Sequence, residues 1–97
     1  MPTYISLLRY THQGITTIKQ GPARLDAAKE VYRQAGGELK AFYLTMGQYD
    51  AVVISELPND IAGAKLALAL GAQGNVRTET LRALTEEEFR RTVAELP

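Results

Sequence analysis

Two apolar runs, Leu39 to Met46 and Tyr49 to Leu57, stand only Gly47-Gln48 apart. Each is rich in the aromatic or β-branched residues that suit a pleated surface, so both read as strands. A parallel pair needs a crossover of a dozen or more residues, and two residues cannot supply one. The runs must therefore pair antiparallel, as a hairpin turning at Gly47-Gln48. Asp50 lies just beyond that turn, where a carboxylate is awkward to carry into an apolar sheet. The stretch Thr45 to Asp50 is thus the first place to look for a functional site.

The flanking segments extend the pattern. Thr3 to Tyr10 reads as a first strand, and Ile15 with Ile18 as a short helical turn. A helix is expected from about Pro22 to Ala35, because proline is tolerated at a helix start and Leu25, Ala28, Val31, Tyr32 and Ala35 form a stripe at spacings of three and four. Gly36-Gly37 closes it. After Pro58, Asn59 or Asp60 caps a second helix, Ile61 to Leu70, in which only Lys65 interrupts the apolar residues. That composition predicts cover on more than one side, with Gly71 as the stop. Asn75 to Leu81 is a fourth strand, polar enough for a sheet edge. Thr85 and Glu88 match a capping box opening a last helix whose adhesive residues are Phe89, Val93 and Leu96. The order β-α-β-β-α-β followed by one helix fits an α+β, ferredoxin-like sandwich. At 97 residues this is one domain, residues 1–97.

Strand alternation predicts two apolar faces. Ile5 and Leu7 oppose Tyr4, Leu8 and Tyr10, and Val52 and Ile54 oppose Ala51 and Val53. On the second strand Phe42, Leu44 and Met46 oppose Leu39, Ala41 and Tyr43. Two helices cover one face. A second copy of the chain covers the other most economically, giving a homodimer or a higher oligomer built from dimers; the competing arrangement folds the last helix across it.

The chemistry on offer is sparse. Eleven basic residues balance eleven acidic ones, so no net field directs the chain to nucleic acid or an anionic membrane. No run approaches the roughly 20 apolar residues of a membrane helix, and the N-terminus lacks a signal-peptide pattern, so a cytoplasmic location is the default expectation. Cysteine is absent, which removes thiolate catalysis and disulfides. One histidine with scattered acids does not compose a metal site, and no glycine pattern matches a dinucleotide or phosphate loop, so neither metal nor cofactor is expected. His12 has a reference pKa suited to proton transfer, and Asp50 is positioned in sequence to orient it or bind a polar ligand; a loop residue and a hairpin acceptor are the structural alternatives. Tyr10, Tyr49 and Arg9 are candidate ligand contacts, each with an ordinary alternative in aromatic packing or a strand-end charge.

The chain also resembles the GYD-domain family. The resemblance rests on Pro2-Thr3-Tyr4, Tyr10-Thr11-x-x-Gly14, Lys40 to Gly47, Tyr49-Asp50 and Gly74 to Thr80, with Gly47, Tyr49 and Asp50 at the Gly-x-Tyr-Asp positions. It implies a ferredoxin-like domain assembled as a dimeric α/β barrel, and carries no substrate or catalytic mechanism with it. The leading expectation is a homo-oligomeric module that binds a metabolite or another protein. A cofactor-independent enzyme for a small aromatic or oxygenated compound, using His12 and Asp50, is the first alternative. A structural assembly module is the second.

Overall fold

The computed structural model describes residues 1–97. Strand β1 (Thr3–Tyr10) leads into a one-turn helix α1 (His12–Thr16), a 3-10 turn at Ile18–Gln20 and helix α2 (Gly21–Gln34). Strands β2 (Glu38–Leu44) and β3 (Ala51–Glu56) follow, then helix α3 (Asp60–Ala72), strand β4 (Val76–Ala83) and helix α4 (Glu86–Ala94). All neighbouring strands are antiparallel, in the order β2-β3-β1-β4. This is the ferredoxin-like arrangement expected from the element order, with β4 at an edge.

One sheet face meets α2 and α3. Tyr4, Leu8, Ala51, Val53 and Leu57 from the sheet side bury against Tyr32 of α2 and Leu66 of α3. Their period of two along β1 and β3 is the alternation that the sequence predicts. Ser6 and Ser55 are buried within the same layer. Burial pushes the Tyr32 phenol above its ordinary pKa, partly offset by the neighbouring Ser55 and Ser6 hydroxyls.

Four local expectations are corrected. The β2–β3 connection is not a two-residue turn: pairing stops at Leu44 and Ala51, and Thr45 N–H donates to Asp50 C=O at 2.9 Å across a six-residue loop. Thr45 Oγ1 also donates to Tyr49 C=O at 2.6 Å, so side-chain bonding replaces the tight-turn ladder. A register shift between Leu39 and Ala41 rotates Leu39 onto the helix-covered side with Phe42 and Leu44. Helix α3 runs past Gly71 to Ala72 and the chain turns only at Gly74, whose φ of 85° suits a residue without a side chain. Nor is α3 covered on more than one side: Ile61, Ala64, Lys65, Leu68, Ala69 and Ala72 recur at helical spacing along an exposed outer face.

The other sheet face carries Ile5, Leu7, Ala41, Tyr43, Val52, Ile54 and Leu81, aligned by the strand registers. Helix α4 does not fold over it. Phe89, Val93 and Leu96 are 61%, 47% and 65% exposed, α4 buries none of its residues, and the whole chain, α4 included, measures 52 × 30 × 18 Å. Its capping box is complete: Thr85 Oγ1 accepts from Glu88 N–H at 3.1 Å, and Glu88 Oε1 accepts from Thr85 N–H at 3.0 Å. That exchange also holds the Glu88 carboxyl below its usual range. No helix is long and apolar enough to cross a membrane.

Candidate functional site

Three separated sequence segments converge where β1 ends. Asp50 N–H donates to Leu8 C=O at 2.8 Å, and Asp50 Oδ2 accepts from Tyr10 N–H at 2.9 Å. The residue that cannot join the ladder with its side chain buried instead extends β1 pairing by one carboxylate bond. One residue beyond Tyr10, Thr11 N–H donates to Asn75 C=O at 3.1 Å and Thr11 Oγ1 donates to Gly74 C=O at 2.5 Å. The same hydroxyl oxygen accepts from Gly14 N–H at 3.0 Å, capping α1. Gly14 presses so closely on the loop before β4 that a Cβ there would stand 2.0 Å from the Asn75 carbonyl oxygen. Tyr10-Thr11-x-x-Gly14, Tyr49-Asp50 and Gly74-Asn75 thus form one hydrogen-bonded junction.

Tyr49 and Arg9 belong to the opposite, uncovered side of that junction. The Arg9 guanidinium lies over the Tyr49 ring, 4.7 Å from its centroid, and Arg9 Nε donates to Gln48 C=O at 2.9 Å. Tyr49 OH donates to Glu79 Oε2 at 2.6 Å, a bond that raises the phenol above its ordinary pKa. The loop therefore reaches across β1 to β4 and ends the open apolar face in a polar cluster. Arg77 stands opposite Arg9 in the ladder and extends that polar end.

On the covered side a cavity of about 330 Å³ lies between the sheet, the start of α2 and the end of α3. Leu8, Leu25, Tyr32, Phe42, Leu70 and Val76 contribute to a largely apolar wall. Arg24 is the single charged residue lining it. Its guanidinium donates from Nη1 to Thr17 Oγ1 at 2.9 Å and to Thr17 C=O at 3.3 Å, and from Nη2 to Gly14 C=O at 3.1 Å. No carboxylate pairs with it.

The five residues singled out from sequence are thereby divided. Tyr10 lines the cavity, whereas Arg9 and Tyr49 form the cluster on the uncovered side. Asp50 bonds to the Tyr10 amide, and His12, exposed at the first position of α1, makes no hydrogen bond to it. A His12–Asp50 relay is not assembled. Arg24 was missed by sequence reasoning, although a signal existed: it precedes Ala28 and Tyr32 at intervals of four and so shares their helix face. No cluster of three or more histidine or acidic side chains forms that could hold a metal ion.

Comparison with known proteins agrees with this geometry at the level of family and fold. A curated protein of Thermus thermophilus, described as a glutamine synthetase and cystathionine beta-lyase binding protein, is 34% identical over 85 residues, covering 87% of this chain and 90% of its own. The crystal structure of TTHA0845 from the same organism superposes with a TM-score of 0.54 at 24% identity, over 88% of this chain and 95% of that one. It supports the α+β fold. The GYD domain signature matches residues 4–93, a span that contains the whole junction at the end of β1, and the chain belongs to the GYD-domain family.

Proposed function

We propose that this chain is a self-associating protein-binding module, in which two copies pack sheet against sheet as a dimeric α/β barrel. The observation that carries the reading is the uncovered apolar sheet face beside a projecting amphipathic α4. Ile5, Leu7, Val52, Ile54 and Leu81 form its centre, and Arg9, Tyr49, Arg77 and Glu79 its polar end. An apolar centre with a polar rim is the usual anatomy of a protein interface. Helix α4 supports the same reading from stability: a nine-residue helix without tertiary packing is marginal in water, so its apolar residues gain from a partner surface.

The protein partner is argued from the Thermus relative, whose description names glutamine synthetase and cystathionine beta-lyase. These two enzymes are the candidate partners for this chain, and Phe89, Val93 and Leu96 of α4 the candidate contacts. The test is biolayer interferometry with each purified enzyme against wild type and Phe89→Glu/Val93→Glu. The expected result is saturable binding to at least one enzyme, weakened tenfold or more by the double substitution. Absence of binding to both, at concentrations up to about 100 μM, rejects the partner assignment.

A further inference from the structure

We propose that the cavity on the helix-covered face is a binding site for an amphipathic monocarboxylate, a short fatty or aryl-alkyl acid, with Arg24 as the anion contact. The inference is separate from self-association, because the cavity and the uncovered face lie on opposite sides of the sheet.

Three features carry it. First, a volume of about 330 Å³ falls at the lower end of small-molecule sites, which run from roughly 300 to 1,000 Å³. At about 30 Å³ per water-sized group, it accommodates roughly ten non-hydrogen atoms, the size of octanoate. Second, the wall is apolar over most of its extent, and neither an acidic residue nor a lysine contributes to it. A hydrocarbon tail therefore replaces water there favourably, while a second charge on the ligand would find no partner.

Third, Arg24 supplies one positive charge whose protein partners are all neutral oxygens. Those bonds involve Nη1 and one Nη2 proton, leaving the Nε proton and the other Nη2 proton for a further acceptor. A guanidinium presents such donors in a planar fork that matches a carboxylate. The bonds to Thr17 and Gly14 also fix the fork to the α1 end, so its orientation is set before any ligand arrives. Gln73, Asn75 and Thr78 at the wall add neutral polar groups without altering the charge selection.

Isothermal titration of the full chain with octanoate and 1-octanol, which share a tail, separates the arginine from the void. Octanoate is expected to bind saturably, one per protomer, at least tenfold more tightly than octanol. Arg24→Gln should weaken octanoate by about ten- to a hundredfold while leaving octanol within threefold, the range of a charge-assisted hydrogen-bonded pair. Because Arg24 also braces α1, a second variant leaves that bracing intact: Ala28→Leu fills the cavity wall and should weaken both ligands together. Circular dichroism confirms that each variant remains folded. Equal affinity for octanoate and octanol overturns the anion assignment, and no saturable octanoate binding up to millimolar concentration overturns the site. Loss of enzyme binding in the preceding test leaves these outcomes unaffected, so the two readings fail independently.

Discussion

Replacing Asp50 by alanine tests whether the carboxylate in the Gly-x-Tyr-Asp segment is structural. In the folded chain Asp50 Oδ2 accepts the Tyr10 amide at 2.9 Å, while the Asp50 backbone is held independently through Leu8 and Thr45. The substitution thus removes one acceptor without dismantling the loop. A hydrogen bond to a charged group contributes about 1.5–3 kcal/mol, and the half-buried position of Asp50 favours the lower part of that range. Asp50→Ala should cost about 2 kcal/mol, equivalent to a fall in Tm of about 8–16 °C for a domain of this size. Asp50→Asn keeps a neutral acceptor and should lose about 1 kcal/mol. The assay is urea unfolding followed by circular dichroism at fixed protomer concentration, since association would contribute to apparent stability. An Asp50→Ala variant within about 0.5 kcal/mol of wild type, the range of an ordinary surface change, refutes the structural reading, as does an asparagine variant as unstable as the alanine one.

Two further predictions concern glycine placement and alkaline pH. Gly14→Ala sets a Cβ 2.0 Å from the Asn75 carbonyl oxygen and should cost about 3 kcal/mol or more, whereas Gly47→Ala, with open space around it and no positive φ, should stay within about 0.5 kcal/mol; the two urea midpoints check the contrast. The Tyr32 phenol titrates above its ordinary value because it is buried, so the folded state holds its proton more tightly than the unfolded chain does. Its contribution is fully present below about pH 10 and is lost as pH rises beyond that value. Tyr32→Phe should flatten the fall in Tm above about pH 10, and an unchanged slope there rules the contribution out.

The parts of the fold legible in sequence are those fixed by local chemistry and periodicity. Thr3–Tyr10, a cap at Asn59 or Asp60 and the Thr85–Glu88 box all depend on neighbours within a few residues; the strand and the box appear as expected, and of the two cap candidates it is Asn59 that accepts from Ala62 N–H. The β2–β3 loop was harder to read because Gly47-Gln48 resembles a tight turn, while side-chain bonds from Thr45 and Asp50 decide where pairing ends. The apolar composition of α3 suggested burial on several sides, yet which residues gain cover depends on tertiary packing, and Leu68 remains 75% exposed. Candidate-site residues were legible individually and not as a constellation. Tyr10, Asp50 and Gly74 are distant in sequence, so only strand register shows that they bracket one junction. The spacing of Arg24 to Ala28 and Tyr32 marks its helix face and not a site; its interest comes from the cavity that folding creates around it.

Self-association through the uncovered sheet face is the central claim, and sedimentation equilibrium on wild type and Leu7→Glu measures it most directly. Leu7 sits at the middle of that face, between Val52 and Glu79 in the ladders, and takes no part in the helix-covered core. The predicted result is a wild-type mass of twice the 10.7 kDa chain, or a multiple of that dimer, with Leu7→Glu folded and reduced to 10.7 kDa. A wild-type mass of 10.7 kDa across micromolar to millimolar concentration, or an undiminished assembly in Leu7→Glu, contradicts the account.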